Sequence, residues 1–223
     1  MTDLSIADYA DELVISPQRK VAPTTGAEIH IQQLNKYYGS VTVLENLNLE
    51  IQAGEFLAIV GRSGCGKSTL LRAISGIWPF VDGKIFLPER DKLMFIPQKS
   101  YLPLGTLRAA LNYPGNKPID DTELIYLMDL CQIGYLKDKL DLEADWSHVL
   151  SVGEQQRLAF VRAHIQQPQW LFLDEATSAL DEETEQEIVT TIRALSSTVI
   201  FVTHRDSAIW QPTQTINLAS TSV

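Results

Sequence analysis

The sequence predicts an α/β fold in which helices cover a mostly parallel sheet, and three observations support this prediction. Short, continuously apolar segments at 55–60, 170–174 and 198–203 have the composition of strands that are buried on both faces. Amphipathic helical patterns lie between and around these segments, and such alternation is typical of parallel strands joined by right-handed crossovers. The length of 223 residues suits one domain of this kind better than two.

The elements follow in chain order. Residues 1–27 are polar and show no sustained period, so we expect an N-terminal tail there and a single folded domain over 28–223. Segments 28–34 and 46–51 alternate apolar and polar residues, which indicates half-buried strands and an N-terminal antiparallel β portion. Mostly helical patterns over about 99–166 predict a helical subdomain beside the sheet. The four main helical patterns lie at 67–77, 121–133, 153–165 and 182–195.

Composition excludes several classes of protein. The 28 acidic residues against 18 Lys and Arg give a formal charge of −10. A chain of this charge lacks the excess of basic residues that direct nucleic-acid binding needs. The apolar runs are far shorter than the roughly 18 residues that span a bilayer, and the first residues do not have the pattern of a secretory signal. The two cysteines fit a reducing compartment. We therefore expect a cytosolic protein.

A phosphate-binding loop is predicted at 61–69, GRSGCGKST, directly after a buried strand and directly before a helix. Glycines there allow backbone N–H groups to surround phosphate oxygens at a helix N-terminus. Lys67 is placed to reach the β- and γ-phosphates, and the Ser68 hydroxyl to bind Mg²⁺. The alternative is a flexible turn rich in Gly and Ser. The predicted nucleotide-binding residues of the loop are Gly61, Arg62, Ser63, Gly64, Cys65, Gly66, Lys67, Ser68 and Thr69.

A second cluster follows the strand WLFLD at 170–174. This strand ends in Asp174, whose carboxylate at the edge of the sheet is predicted to hold Mg²⁺ directly or through water. Glu175 follows it and is a candidate general base for an attacking water. Alone, two acids after a strand are more often a solvated helix start, but the phosphate loop upstream favours the functional interpretation.

The segment LSVGEQQR at 150–157 resembles the signature motif of ATP-binding cassette (ABC) ATPases. The resemblance implies that this motif opens a helix whose N-terminus, with Ser151, Gly153 and Glu154, faces the γ-phosphate held by a second copy of the domain. Taken alone, Ser151 and Glu154 would be an ordinary capping box. Two positions depart from the common family pattern, because Val152 stands where glycine is usual and Glu154 where glutamine is usual.

Further segments match family landmarks in the same order. FIPQKSYLP at 95–103 resembles the glutamine loop. The resemblance implies that Gln98 belongs to the Mg²⁺ site with Ser68 and Asp174, near the attacking water, and that the flanks of the loop touch a membrane partner. VTHR at 202–205 resembles the end of the switch strand, which implies that His204 contacts the γ-phosphate and orients Glu175. The resemblance therefore assigns Glu175, His204, Gln98 and Lys67 to catalysis.

Two more sites are carried over from the family. SALD at 178–181 resembles the segment that crosses the dimer interface, with Asp181 as its last residue. Tyr38 matches the aromatic residue that stacks on adenine, and Tyr37 is the alternative one position earlier.

The resemblance covers roughly residues 28–218, and its two halves differ. Residues 44–72 look most like stand-alone ATPase subunits of bacterial importers for sulfonates, nitrate or taurine. From residue 76 onward the sequence resembles the ATPase domains of half-transporters of the peroxisomal fatty-acyl type and their bacterial relatives.

The family implies a fold of the P-loop NTPase class and an ATP-hydrolysing subunit of an ABC membrane transporter. It implies ATP and Mg²⁺ as cofactors, a head-to-tail homodimer or pseudo-dimer, and a separate or missing integral membrane permease domain. The location implied is peripheral, on the cytoplasmic face of the inner (plasma) membrane.

We expect no direct nucleic-acid contact. We also expect no metal other than Mg²⁺, because His30, His148 and His164 have no Cys or His partner at metal-binding spacing.

Two alternatives remain open: a module that uses ATP only as a dimerisation switch, and a soluble cassette protein that acts on ribosomes or DNA. Measured ATP turnover discriminates the first, and salt-sensitive association with nucleic acid the second.

Overall fold

The computed structural model describes residues 28–38, 41–78, 81–115, 117–203 and 207–218, so the predicted tail at 1–27 lies outside the described part. The strands are β1 (Ile29–Tyr38), β2 (Val41–Ile51), β3 (Phe56–Gly61), β4 (Asp82–Phe86), β5 (Leu93–Ile96), β6 (Gly105–Thr106), β7 (Glu143–Ala144), β8 (Trp170–Asp174), β9 (Thr198–Val202) and β10 (Gln214–Leu218). The helices are α1 (Lys67–Ile74), α2 (Leu107–Asn112), α3 (Asp121–Leu130), α4 (Trp146–Val149), α5 (Val152–Gln166) and α6 (Glu182–Arg193). Short 3₁₀ helices span Arg90–Lys92, Gly134–Lys139 and Ser207–Trp210.

The central sheet is parallel, with the strand order β10-β3-β9-β8-β5. A separate antiparallel sheet has the order β2-β1-β4 and contains both alternating N-terminal segments. The predicted α/β class, with a parallel core and an N-terminal antiparallel portion, is therefore confirmed. Sequence analysis missed β4, β5 and β10, which are short and only partly buried. β4 and β10 carry no continuous apolar run, and the apolar run of β5 is only four residues long.

The central sheet separates two hydrophobic cores. Side chains alternate along a strand, so Leu57 and Ile59 of β3 face one core, together with Leu70 of α1. Phe56 and Ala58 face the other core, together with Phe160 of α5 and other helical residues. This two-sided burial explains why β3, β8 and β9 read as unbroken apolar segments.

Residues 99–166 contain α2 to α5, and within this range the strands β6 and β7 have two residues each. Their core side chains, including Leu124, Trp146 and Phe160, are continuous with Leu171 and Phe201 of the central sheet. The indole N–H of Trp146 donates to the Gly105 carbonyl oxygen at 2.9 Å, which ties α4 to β6. A helical subdomain with these boundaries stays a prediction.

Parallel pairing brings functional loops to one edge of the sheet. The carboxyl ends of β3, β5, β8 and β9 all lie at this edge, and each is followed by a segment singled out in the sequence. Ligand sites of open α/β sheets form at such an edge. Among the described residues, no helix combines the length and hydropathy needed to cross a bilayer.

Candidate nucleotide-binding site

The phosphate loop joins β3 to α1, and two of its glycines are required by the backbone. Gly66 caps α1 with φ +96°, and a Cβ there would lie 2.5 Å from Cγ1 of Val43. A Cβ on Gly61 would lie 2.6 Å from the carbonyl oxygen of Leu218, because β10 passes next to the loop. Both positions therefore exclude a side chain, and the loop can curve tightly into the helix.

Lys67 lies at the start of α1 and is only 5% exposed. Its Nζ donates to the carbonyl oxygens of Gly61 at 2.9 Å and Arg62 at 3.0 Å. Within the described part of the chain, this buried ammonium group bonds to these two carbonyl oxygens and to no carboxylate, and no side chain caps the N-terminus of α1. A buried, uncompensated cation beside free helix N–H groups is suited to bind an anion such as phosphate. This arrangement fits ATP.

The other predicted loop residues line the same turn. Residues Arg62, Ser63 and Gly64 are exposed, whereas Cys65, Gly66, Ser68 and Thr69 are half-buried. The loop therefore presents its first half to solvent and anchors its second half on the domain.

Ser68 and Asp174 meet although they are far apart in sequence. The Ser68 hydroxyl donates to Oδ1 of Asp174 at 2.6 Å, and Nη2 of Arg72 lies 3.1 Å from Oδ2. Asp174 ends β8 and is 3% exposed. A hydroxyl and a carboxylate oxygen at this spacing are the hard ligands that Mg²⁺ prefers, so the pair fits this ion. Sequence analysis missed Arg72, which holds the second carboxylate oxygen.

Glu175 has an unusual backbone, with φ +53°. Its N–H donates to the Val202 carbonyl oxygen at 3.1 Å, which ties the end of β8 to the end of β9. Nε2 of Gln98 donates to Oε2 of Glu175 at 3.3 Å. The predicted general base and the predicted glutamine of the loop after β5 therefore do come together, next to the Ser68–Asp174 pair.

Gln156 is a site residue that sequence analysis missed. It lies on α5, is 1% exposed, and its Nε2 lies 3.2 Å from both the Gln98 carbonyl oxygen and the Ser178 hydroxyl. Its Oε1 accepts from the Ala179 N–H at 3.0 Å. Gln156 thus connects the helix of the signature motif to the loops that carry Gln98 and Glu175. No local pattern signals this, because its partners come from distant segments.

The signature motif forms the N-terminus of α5. Ser151 is the N-cap, and it makes a capping box with Glu154: the Ser151 N–H donates to Glu154 Oε2 at 2.7 Å and the Glu154 N–H to Ser151 Oγ at 3.3 Å. The Ser151 hydroxyl and the Tyr135 phenol also donate to the Glu154 carboxylate. Burial raises the pKa of Glu154, but these hydrogen bonds outweigh it and the pKa lies below its usual value.

Gly153 lies where α5 meets the loop after β8. A Cβ there would lie 3.1 Å from the carbonyl oxygen of Ala179, a distance that leaves little room for a side chain. Val152, beside it, is 52% exposed. None of the hydrogen bonds of Ser151 and Glu154 reaches the phosphate loop of the same chain, so the structure does not join these two parts of the predicted site.

The remaining predicted site residues are Asp181, Tyr38 with its alternative Tyr37, and His204. Asp181 is exposed and caps α6, where it accepts from the Thr184 N–H at 2.9 Å; this bond lowers the pKa of Asp181. The backbone of Tyr38 ends β1, but its side chain lies outside the described residues, and so does His204. Tyr37, the alternative aromatic residue, is 46% exposed on β1.

Together the fold and this site define a nucleotide-binding domain of the P-loop class. A sequence profile described as "ABC transporter" matches residues 44–178. The chain therefore belongs to the ABC transporter family, whose ATPases couple ATP hydrolysis to transport, and the resemblance stated from the sequence is confirmed.

Individual proteins with similar sequences belong to the same family. An uncharacterised ABC transporter ATP-binding protein of Haemophilus influenzae is 41% identical over 169 residues, covering 74% of this chain and 28% of that protein. Human ATP-binding cassette sub-family D member 3 is 38% identical over 178 residues, covering 76% of this chain and 27% of that protein. The chain thus matches about a quarter of the length of these relatives. The likeness of residues 44–72 to importer subunits stays a prediction.

A solved structure shows the same fold with nucleotide. The structure of a bacterial Atm1-family ABC exporter with ATP bound is similar to this chain with a TM-score of 0.76 and 28% sequence identity. The similarity covers 92% of this chain and 40% of that one.

Proposed function

We propose that this chain hydrolyses ATP with Mg²⁺ as one half of a head-to-tail pair of ATPase domains and thereby drives a membrane permease domain. One observation carries the proposal. At one edge of the parallel sheet, the buried Lys67, whose ammonium group bonds only to carbonyl oxygens among the described residues, lies beside the Ser68–Asp174 pair and the Glu175–Gln98 pair. Anion binding, cation binding and activation of water are the three tasks of phosphoryl transfer to water.

The roles divide as follows. Lys67 and the N–H groups of α1 bind the phosphates, and their positive charge stabilises the charge that builds up on them. Ser68 and Asp174 would hold Mg²⁺, and the bound ion would neutralise phosphate charge. Glu175 accepts the proton of the attacking water, and Gln98 holds its carboxylate in position. We assign His204 to the γ-phosphate and Tyr38 to the adenine by family resemblance.

The signature motif supports the paired arrangement. The N-terminus of α5 is directed to its own capping box and not to the phosphate loop of the same chain, and Val152 next to it is exposed. In a head-to-tail pair each α5 N-terminus faces the nucleotide of the other copy, where its N–H groups stabilise negative charge. Asp181, exposed at the start of α6, lies in the segment assigned to the interface of the pair.

Exposed apolar residues support docking of a membrane partner near Gln98. Tyr101 is 65% exposed and Leu104 is 75% exposed, just after the loop that contains Gln98. Large apolar side chains in solvent are typical of contact surfaces. From the family resemblance we also propose that the chain lies at the cytoplasmic face of the inner (plasma) membrane, held there by its permease partner.

The decisive experiment is phosphate release from Mg²⁺-ATP by the chain and by Glu175→Gln. The general base contributes about 100-fold or more, so turnover should fall by at least that factor. Binding of ATP should persist, because Lys67, Ser68 and Asp174 are untouched. The matched control is Glu182→Gln, which neutralises an exposed acid at the start of α6. Unchanged turnover in Glu175→Gln would contradict the role of Glu175, and equal loss in both variants would contradict a specific role.

The same variant tests pairing. An ATP-bound pair that cannot hydrolyse should accumulate, so light scattering after gel filtration should detect a dimer of Glu175→Gln with ATP but not with ADP. A chain that dimerises with ATP yet never releases phosphate, even with its membrane partner, would support the ATP switch instead of the ATPase.

A further inference from the structure

The outer face of the antiparallel sheet carries a group of side chains that nucleotide chemistry does not use. Ile29 and Ile31 of β1 are buried, 0% and 2% exposed, and pack into the core. Because side chains alternate along a strand, Glu28 and His30 lie on the opposite face. Nε2 of His30 lies 2.9 Å from Oε2 of Glu28.

The strand register adds a third residue. His30 of β1 is directly opposite Glu50 of β2 in the antiparallel pairing, and directly paired residues share a face of the sheet. One nitrogen of His30 and one carboxylate oxygen each of Glu28 and Glu50 all lie within 4.8 Å of one another. Three potential ligands, one directly before β1, one in β1 and one in β2, thus converge on one point.

The positions of these groups suit a metal ion. Ligands at about 2.1 Å from Zn²⁺ are separated from each other by roughly 3 to 3.5 Å. The His30–Glu28 distance of 2.9 Å is just below this range, so a small side-chain rotation brings the two atoms to ligand spacing. Glu50 is an exposed, long side chain and closes the remaining gap by rotating about its χ angles. Nε2 of Gln52 donates to Oε1 of Glu50 at 2.8 Å, which orients this carboxylate and leaves Oε2 for an ion.

We propose that Glu28, His30 and Glu50 bind a divalent first-row transition metal such as Zn²⁺, outside the nucleotide site. Imidazole selects such ions over Mg²⁺ and Ca²⁺, and two carboxylates compensate the charge of a dication. Three protein ligands on an exposed sheet leave the other coordination positions to water. The proposal differs from the expectation that Mg²⁺ is the only metal. That expectation rested on the spacing of Cys and His in the sequence, which does not show a ligand on the neighbouring strand.

The site has a structural consequence for the antiparallel sheet. Ile29 pairs with Ile51 at one end of the β1–β2 ladder, and Tyr38 pairs with Val41 at the other. The proposed ion links the two strands at the Ile29–Ile51 end, which is open because no turn joins the strands there. A ligand that binds only the folded state raises its stability, so the bound ion should raise the melting temperature of the domain.

The test is a calorimetric titration of the full chain with Zn²⁺, after chelator treatment and without nucleotide. Excess Mg²⁺ is present to occupy oxygen-only sites. We expect saturation at one Zn²⁺ per chain and a higher melting temperature. His30→Ala and the nearly isosteric Glu50→Gln should each weaken the affinity by at least about tenfold. Absence of saturable binding would overturn the proposal.

His148→Ala is the matched control. His148 is also exposed and pairs with one carboxylate, that of Asp145, at 2.8 Å, but it is not part of the three-residue group. Its removal should leave Zn²⁺ affinity unchanged. Equal loss in His148→Ala and His30→Ala, or no loss in His30→Ala, would overturn the site. The melting temperature of each variant without metal shows whether the substitution impairs folding and not only metal binding. ATP affinity is measured in the same variants and should not change, because this site lies outside the nucleotide site.

Discussion

The N-termini of α1 and α5 are built in opposite ways. Gly66 caps α1 without a side-chain hydrogen bond, no acid lies in the first turn, and the buried Lys67 adds positive charge. Ser151 caps α5 within a complete capping box, and the Glu154 carboxylate already lies at the positive end of the helix. Both ends attract anions by the same dipole and free N–H groups. Of these two ends, only that of α1 has no carboxylate of its own chain bound to it, whereas an external anion at α5 meets the Glu154 carboxylate.

This contrast indicates different roles for the two helices: α1 in binding nucleotide and α5 in pairing of two copies. The N-terminus of α1 is arranged within one chain to bind phosphate, so we expect a single chain to suffice for nucleotide binding. The N-terminus of α5 is hydrogen-bonded within its own capping box, so in the proposed pair a phosphate from the other copy would compete with the carboxylate of Glu154. Binding and pairing should therefore respond separately to substitution, and the following predictions test that separation, from the largest expected effect to the smallest.

Lys67→Met should have the largest effect. It keeps the length of the side chain but removes the buried charge, and loss of one partner of a buried charge pair costs roughly 2 to 5 kcal/mol. ATP affinity should fall by about 100-fold or more in fluorescence titration, and turnover should be lost with it. Lys84→Met, on the exposed side of β4, is the control and should bind ATP normally. Retained affinity in Lys67→Met would mean that α1 alone binds the phosphates.

Ser151→Ala should impair the function of the proposed pair without impairing ATP binding by the single chain. Because Ser151 lies outside the phosphate loop, ATP affinity of the single chain should stay within about twofold. Loss of its hydroxyl should lower turnover by about tenfold or more, by analogy with removal of one donor from a charge-stabilising site. Turnover and nucleotide binding are measured side by side.

Thr106→Ala controls for the helix cap itself. Thr106 caps α2 and accepts from the Ala109 N–H at 3.1 Å, so its removal costs about 1 kcal/mol of stability, as removal of Ser151 does. If Thr106→Ala loses turnover as strongly as Ser151→Ala, the effect of Ser151 is one of stability and the comparison between α1 and α5 loses its basis.

Glu154→Gln should have a smaller effect and the opposite sign on pairing. Gln retains the capping-box geometry but removes the negative charge from the place that a phosphate must approach. A charge at a helix end is worth about 0.3 to 1 kcal/mol, so ATP-dependent dimerisation should strengthen by roughly two- to fivefold. Analytical ultracentrifugation over a range of concentrations measures it. Weaker dimerisation would show that the Glu154 carboxylate takes part in the paired state.

The pH dependence of stability should show the smallest effect. The pKa of folded Glu154 lies below the ordinary value of 4.5, so its carboxylate stabilises the fold above that pH, and this contribution is lost as the pH falls through the lower, folded pKa. Urea unfolding of the chain and of Glu154→Gln should therefore differ by only a few tenths of a kcal/mol at pH 7, because the group is partly exposed and screened. The difference should shrink below about pH 4. A constant difference would exclude titration of Glu154 as its cause.

Local patterns were sufficient to predict much of the site. The phosphate loop, the strand that ends in Asp174 and the following Glu175 are each recognisable within a dozen residues, because glycine, lysine and a strand boundary must be adjacent in the chain for this chemistry. The capping box of Ser151 and Glu154 is equally local. The buried strands β3, β8 and β9 were predicted because both of their faces are covered, which makes them apolar throughout.

Other features depend on partners that are distant in sequence, so only the tertiary structure could decide them. Arg72 contacts Asp174 across 102 positions, and Gln156 contacts the Gln98 backbone across 58. Gln156 lies in the signature segment 150–157, but no local pattern indicates either contact. His30 meets Glu50 only through the register of an antiparallel pair. Sequence adjacency determines motifs because covalent geometry keeps neighbours close. Strand order and register determine which motifs meet, because they result from burial and hydrogen bonding over the whole chain.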